Sequence, residues 1–305
     1  MEKESGQKYE VCIPGEDIFV SYAQVGDGPV NVVFGHGLYD GMDTFRERYF
    51  RLLPEGYKFT AFNWPGLGAS EVYRKHKPSI RQYADIARSF LTALGLTRIC
   101  LFGSSMGAHI FAQMLADGVG EVEAFAAQGM FYSSERLAEH SAFFKKAREI
   151  FSKHPHVARV FLRLRCEYRK KAMREDVKSV LAAYGLLANA FEAGSLHAHP
   201  DLISLAYRHV KDADPRTIRH LMEDLLLRVS MPEVLPYVKT PTLFIEGADP
   251  PGRSAFDVRG LAGLLQNGVE REVCIVPEMG HYAHLFRPET VLFSALQFFS
   301  TVRRA

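Results

Sequence analysis

Residues 98–112, RICLFGSSMGAHIFA, combine an apolar strand pattern, a serine between glycines and the start of a helical pattern. The run RICLF is typical of a strand that is buried on both faces. Gly103 and Gly107 flank Ser105, so the turn has the form GxSxG. A serine on a tight turn from strand to helix needs neighbours without bulk, and glycines meet that need. This context predicts that Ser105 is a nucleophile.

Similar apolar runs recur along the chain, with helical stretches between them and a pair of strand candidates at 9–13 and 18–23 ahead of them. The runs are NVVFG from residue 31, KFTAFNW from 58, RICLFG from 98, VEAFAAQ from 122, TPTLFIEG from 240 and REVCIVP from 271. Strands that alternate with helices predict a parallel sheet of the α/β class.

The alternation stops between about Met130 and Tyr237, where helical patterns follow one another without a strand pattern between them. This predicts a helical lid inserted into the sheet domain. The expected organisation is a first core part over 1–129, a cap over 130–237 and a second core part over 238–305. No internal repeat or long linker argues for a separate second domain.

The composition is that of an ordinary globular protein, with 305 residues and a formal net charge of +2. So small a charge does not predict nucleic acid as a partner. The first residues are polar, and no stretch reaches the roughly 18 apolar residues of a membrane span, so we expect a cytoplasmic protein. Because the sequence has no CxxC pair and no HExxH or similar cluster, neither a metal nor a cofactor is expected.

A serine hydroxyl needs a base within hydrogen-bonding distance, and His281 is the strongest candidate. It stands in PEMGHYAHLFRP, after the strand pattern EVCIV and before a last helix that begins near Pro288. Such a loop lies at the carboxyl edge of a parallel sheet, where Ser105 also emerges. The position predicts His281 as the base, with His284 as a weaker alternative.

The backbone after the strand NVVF is predicted to form an oxyanion hole, because it continues as GHGL over residues 35–38. Glycines at the end of a strand let backbone N–H groups turn toward a carbonyl oxygen. The expected donors are the N–H groups of Leu38 and of Met106, the residue after the nucleophile. His36 is expected to fix this loop by hydrogen bonding.

Five motifs together resemble the α/β-hydrolase superfamily. In chain order they are HGLYDG from residue 36, NWPGLGAS from 63, GSSMGA from 103, TPTLFIEGADP from 240 and EMGHYAHLFRP from 278. The resemblance implies an α/β-hydrolase fold with a mostly parallel eight-stranded sheet flanked by helices. It also implies a triad in the order serine, acid, histidine, and a helical cap inserted after the sixth strand.

Within this resemblance, Asp249 is the predicted acid of the triad. The family pattern after the strand is GxxD, whereas GAD here brings the carboxylate one residue earlier. Asp257 and Glu246 are the alternatives. A second departure is Asn63, which stands where the family usually has a structural aspartate. Ser105 excludes the haloalkane dehalogenases and epoxide hydrolases, which use an aspartate as nucleophile.

These residues predict a serine hydrolase that cleaves a carboxylic ester or thioester through an acyl-enzyme intermediate. Two alternatives stay open. The elbow SSMG resembles carbon–carbon bond hydrolases of the meta-cleavage-product type, although Tyr282 stands where those enzymes usually carry Trp. Some proteins of this fold are receptors that bind a small molecule without turnover.

The predicted lid is basic, since residues 134–175 hold 12 Lys and Arg against five Glu. Such an excess would attract anionic substrates such as thioesters of coenzyme A or of a carrier protein. A solvated helix face is the alternative interpretation. The expected partner is therefore a small acyl substrate, and the sequence does not predict an oligomeric state.

Overall fold

Eight strands form one sheet in the computed structural model, which describes residues 7–75, 77–118, 121–140, 142–153, 192, 199–249 and 256–304. The strands are β1 (Gln7–Ile13), β2 (Ile18–Val25), β3 (Val30–Gly35), β4 (Tyr57–Phe62), β5 (Ile99–Ser104), β6 (Val122–Gln128), β7 (Thr242–Gly247) and β8 (Arg271–Val276). Their order across the sheet is β1-β2-β4-β3-β5-β6-β7-β8.

The sheet is mostly parallel. β1 pairs antiparallel with β2, and β2 pairs antiparallel with β4, whereas the pairs from β4 through β8 are parallel. The predicted eight-stranded, mostly parallel sheet is therefore confirmed. β3 and β5 are buried along their whole length, as continuous apolar runs predict. β8 differs, because it lies at the edge of the sheet and is only partly buried.

Helices cover both faces of this sheet. They are α1 (Met42–Arg48), α2 (Ile80–Ala93), α3 (Met106–Ala116), α4 (Ser134–His140), α5 (Ala142–Lys153), α6 (Pro200–Asp212), α7 (Pro215–Leu227), α8 (Val258–Leu264), α9 (Ala283–Phe286) and α10 (Pro288–Val302). Phe90 of α2 and Phe111 of α3 belong to one apolar core. Phe45 of α1 and Phe299 of α10 belong to a second one. Parallel strands need such cover on both faces.

The chain between β6 and β7 contributes the helices α4 to α7 in its described part. The α7 residue Asp224 accepts a hydrogen bond from the backbone N–H of Ile80 at 2.7 Å, which ties α7 to the start of α2. The predicted cap with its boundaries at 130 and 237 stays a prediction. Among the helices that the structure describes, none combines the length and apolar character that a membrane span needs.

Candidate active site

The turn between β5 and α3 holds Ser105 in a strained backbone conformation. Its φ is 51° and its ψ is −114°, a combination that costs a residue other than glycine about 1–3 kcal/mol. Its N–H donates to the carbonyl oxygen of Gln128 at 2.7 Å, and its own carbonyl accepts from the N–H of Ala108 at 3.0 Å. The surrounding backbone therefore fixes the turn on which the hydroxyl is presented.

The two glycines of the elbow allow backbone segments to approach closely. A methyl group at Gly103 would lie 2.6 Å from Cα of Ala108, and one at Gly107 would lie 2.2 Å from the carbonyl oxygen of Gly35. Because these obstacles are backbone atoms of a packed helix and a packed strand, they cannot move aside. The need for small neighbours around Ser105 thus has a direct steric cause.

His281 lies in the loop between β8 and α9, and its Nε2 is 3.2 Å from Oγ of Ser105. Burial lowers the pKa of His281 to about 3, with further lowering by His284 and His109. The imidazole is therefore neutral near pH 7, and in the tautomer with hydrogen on Nδ1 its Nε2 accepts a hydrogen bond from the serine hydroxyl. A neutral imidazole at this distance can take the serine proton.

The backbone of Asp249 is attached to the loop that carries His281, since its N–H donates to the carbonyl oxygen of Met279 at 2.9 Å. The residue itself is exposed. Within the described part of the chain, Nδ1 of His281 has no hydrogen-bond partner. The structure thus brings the predicted nucleophile and base together but does not pair the predicted acid with the base.

The two alternative acids have other surroundings. Asp257 caps the N-terminus of α8, where its carboxylate accepts a hydrogen bond from the N–H of Gly260 at 2.9 Å. Glu246 is buried in β7 and accepts from the N–H of Gly247 at 3.0 Å. Burial raises the pKa of Glu246 well above its usual value, and the charge of Glu192 raises it further. Both effects favour the neutral form of this carboxyl.

Two buried side chains, which the sequence did not single out, hold the backbone around His281. Nε2 of Gln128 donates to the carbonyl oxygen of His281 at 2.8 Å. Oε1 of Glu192 accepts from the N–H groups of Gly280 and Tyr282, each at 2.9 Å. Both residues are distant from His281 in the sequence, so no local sequence pattern predicts these contacts. The position of the imidazole is therefore fixed from the strand β6 and from the segment between β6 and β7.

Gly129, directly after β6, contacts the imidazole of His281. Its φ is +66°, and a methyl group there would lie 2.7 Å from Cε1 and 3.0 Å from Nδ1 of the ring. Only a residue without Cβ combines this backbone conformation with this approach at low cost. The Nδ1 edge of the base therefore faces the end of β6.

The loop after β3 lies against the nucleophile. A methyl group at Gly37 would be 3.2 Å from Cβ of Ser105, so the loop that continues into Leu38 packs directly against this residue. Met106 is the first residue of α3, and its N–H has no acceptor within the helix. The roles of Leu38 and Met106 as oxyanion donors stay a prediction.

His36 has a structural role in this loop. Burial lowers the pKa of His36 to about 4, and the neutral ring donates from Nδ1 to the carbonyl oxygen of Gly37 at 2.8 Å. Its Nε2 accepts from the backbone N–H of Trp64 at 3.2 Å. The ring therefore joins the loop to the end of β4, as an uncharged hydrogen-bonding group.

Asn63, the departure from the family pattern, also has a structural role. Its Oδ1 accepts from the N–H of Met42 at 2.9 Å, at the start of α1. Its Nδ2 donates to the hydroxyl of Ser21 at 2.9 Å. An aspartate could make the first contact but has no N–H for the second, so the amide fits this buried position.

A buried cluster of one aspartate and two histidines, one of them His284, also lies in the described part of the chain. Asp40 lies between two histidines, with Oδ1 at 3.3 Å from Nδ1 of His209 and Oδ2 at 3.6 Å from Nε2 of His284. Burial opposes ionisation of Asp40, but the neighbouring His209 and His284 hold its pKa far below the usual range. No set of three or more His, Cys, Asp or Glu in the described residues could hold a metal ion.

Five of the 12 basic residues in 134–175 lie in the described part of the chain, and the other seven lie outside it. Four of those five are within 4.0 Å of a carboxylate. The pairs are Arg136–Asp257, Lys146–Glu149, Arg148–Glu135 and Lys153–Glu149. Neighbouring acids therefore offset most of the described positive charge in this segment.

Several solved structures share this fold at low sequence identity. An esterase from Thermogutta terrifontis superposes with a TM-score of 0.70 at 16% identity, over 97% of this chain and 99% of that chain. An enol-lactonase from Burkholderia xenovorans has a TM-score of 0.68 at 15% identity, over 96% and 100%. A bromoperoxidase from Bacillus anthracis has a TM-score of 0.72 at 16% identity, over 97% and 100%. Such likenesses show the fold alone.

The comparison with protein families is more specific. A search of curated proteins by sequence found no match. The family model of the alpha/beta hydrolase fold matches residues 30–288, which include β3 to β8 and all the site residues described above. This match extends over most of the chain and agrees with the sheet order, the elbow at Ser105 and the position of His281. The chain therefore belongs to the alpha/beta hydrolase fold family.

Proposed function

We propose that this protein is a serine hydrolase that cleaves a carboxylic ester or a thioester. The observation that carries the proposal is the 3.2 Å contact between Oγ of Ser105 and Nε2 of His281, a neutral buried imidazole. The strained backbone of Ser105 at the start of α3 supports it further. An esterase and an enol-lactonase are among the structures with this fold, which is compatible with the proposal.

The reaction begins when Oγ of Ser105 attacks the carbonyl carbon and His281 takes the hydroxyl proton. The N–H groups of Leu38 and Met106 stabilise the oxyanion, and one such donor is typically worth about 3 kcal/mol. His281 then returns the proton to the alcohol or thiol that leaves, and an acyl group remains on Ser105. Water, deprotonated by His281, releases the carboxylic acid and restores the serine.

Asp249 remains the proposed acid. Its backbone contact to Met279 brings it two residues from His281 in that loop, and among the described residues no acceptor occupies Nδ1 of His281. A carboxylate there would fix the tautomer with hydrogen on Nδ1 and stabilise the imidazolium that forms. The exposed position of Asp249 also favours a second candidate function, a receptor that binds a small acyl compound without turnover.

The test is a panel of p-nitrophenyl esters of increasing chain length together with acyl thioesters of coenzyme A. The proposal expects turnover by the wild-type protein and none by Ser105→Ala. A comparison of the turnover rates for esters and for thioesters shows which of the two the protein prefers. Retention of a panel compound without turnover would favour the receptor. Inactivity and absence of binding across the panel would contradict both functions for these substrate classes.

A further inference from the structure

Glu192 is completely buried, at 0% exposure, in the segment between β6 and β7. One carboxylate oxygen accepts hydrogen bonds from the N–H groups of Gly280 and Tyr282, each at 2.9 Å. These two residues flank His281. We propose that Glu192 is a positioning residue that sets the place of the catalytic base, an inference that rests on the proposed function of His281.

The contact restrains the backbone on both sides of the imidazole. The N–H before His281 and the N–H after it converge on a single oxygen of Glu192, while the carbonyl of His281 itself accepts from Gln128 at 2.8 Å. Backbone dihedral angles determine which side-chain rotamers are allowed. Holding these three polar groups therefore holds Nε2 near the serine hydroxyl, where a misplacement of about 1 Å can cost about 100-fold in rate.

The role needs an acceptor oxygen at the reach of the Glu192 side chain. Two buried N–H groups without an acceptor would each be destabilising, and an ionised acceptor makes stronger bonds than a neutral one. Burial and the charge of Glu192 together raise the pKa of the neighbouring Glu246. Both effects favour the neutral form of Glu246, while the Glu192 oxygen accepts both N–H groups of the loop.

The contact also joins two distant parts of the chain, since Glu192 precedes Gly280 by 88 residues. The segment between β6 and β7 thus contributes directly to the geometry of the base. A change that displaces Glu192 is expected to lower kcat more than it alters KM, because it moves the base and leaves substrate contacts in place.

The experiment compares Glu192→Leu, Glu192→Asp and Glu192→Gln in the full chain. Leucine removes the acceptor, aspartate retains the charge on a side chain one methylene shorter, and glutamine keeps an oxygen at the same reach. We expect kcat to fall about 10- to 100-fold in Glu192→Leu, to fall less in Glu192→Asp, and to stay within about threefold of wild type in Glu192→Gln. Asp224→Leu is the control, because it removes another buried carboxylate that accepts a backbone N–H, that of Ile80 at the start of α2 and not in the His281 loop, and it is expected to retain kcat.

Amide hydrogen exchange at Gly280 and Tyr282 gives a readout that needs no substrate. Both amides should be protected in wild type and Glu192→Gln and should exchange at least about tenfold faster in Glu192→Leu, while the amide of Ser105, bonded to Gln128, serves as the internal control. Unchanged exchange in Glu192→Leu, or equal kcat losses in Glu192→Gln and Glu192→Leu, would overturn the proposal. If no ester or thioester is cleaved by wild type, the proposed function fails while the exchange data still decide whether Glu192 holds the loop.

Discussion

The two edges of the His281 ring differ in how they are supported. On the Nε2 edge, the ring meets Ser105 at 3.2 Å, on an elbow that close backbone packing makes rigid. On the Nδ1 edge, the ring faces Gly129 and has no acceptor within the described residues. Ser105 is thus held by the packing of β5 and α3 and His281 by Gln128 and Glu192, whereas Asp249 depends on the loop after β7.

This difference separates two contributions to catalysis. Proton transfer from the serine requires only the Nε2 edge and a neutral ring, and burial supplies the neutral ring. Stabilising the imidazolium that forms requires a negative charge on the Nδ1 edge. Variants on the two edges should therefore have effects of different size and different pH dependence.

The largest effect is expected on the Nε2 edge, from Ser105→Ala. Without the nucleophile no acyl-enzyme can form, so kcat for the best substrate should fall by at least about 10⁴-fold. The measurement is steady-state turnover, with circular dichroism to establish that the variant is folded. Ser104→Ala is the matched control, because its hydroxyl donates to Gln128 at 2.9 Å rather than facing substrate, and it should lose less than about tenfold. Activity of Ser105→Ala near the wild-type level would contradict the mechanism.

A smaller but still large effect is expected on the Nδ1 edge, from Asp249→Asn. If Asp249 supplies the acid, loss of its charge should lower kcat by about 10²- to 10⁴-fold, with little change in thermal stability because the residue is exposed. Kinetics and thermal melting of the same preparation measure both quantities. A variant with nearly full activity would mean that Ser105 and His281 act without this acid.

Gly129→Ala tests whether the close approach of Gly129 to the Nδ1 edge of the His281 ring fixes the position of that ring. The new methyl would press on the ring at 2.7 Å from Cε1, so kcat should fall about tenfold or more. Gly95→Ala is the control, since its φ of +58° carries a similar backbone penalty and nothing lies within 4 Å of the added methyl. Both variants should lose about 1 kcal/mol of unfolding free energy from the left-handed backbone. Equal kcat values for the two would show that Gly129 does not constrain the base.

The smallest effect is expected in the pH profile of kcat/KM of Asp249→Asn, whose acidic limb should shift along the pH axis. Activity falls as pH decreases through the pKa of His281, because the protonated ring cannot accept the serine proton. Burial without a carboxylate on Nδ1 places that pKa at about 3, and a nearby carboxylate would raise it. The acidic limb of Asp249→Asn should therefore lie at least about one pH unit below that of wild type. If the acidic limbs of wild type and Asp249→Asn coincide, the charge of Asp249 does not affect the pKa of His281.

The sheet and the Nε2 edge could be predicted from the sequence because both depend on local patterns. Buried strands such as β3 and β5 are continuous apolar runs, and the elbow at Ser105 needs glycines at fixed positions beside it. The loop position of His281 follows from the last strand and the last helix. These features require only short-range spacing and the rule that parallel strands end at one edge.

The supports of the base could not be predicted in this way. Gln128 and Glu192 contact the His281 loop across 153 and 88 to 90 residues, respectively, and nothing in their local sequence marks them. Gly129 follows a strand like many other glycines, and its contact with the ring appears only in three dimensions. For Asp249, the shortened spacing was visible in the sequence, but its effect on the side chain depends on the path of the loop.

The most direct test of the central claim is reaction with a fluorophosphonate probe, followed by mass spectrometry of the intact protein and its peptides. An activated serine hydroxyl reacts quickly with such reagents, whereas ordinary serines do not. The account predicts one adduct per chain, located on Ser105 and absent from Ser105→Ala, with Ser104 unlabelled. The absence of an adduct in folded wild-type protein, or an adduct on another residue, would contradict the assignment of Ser105 and His281 as nucleophile and base.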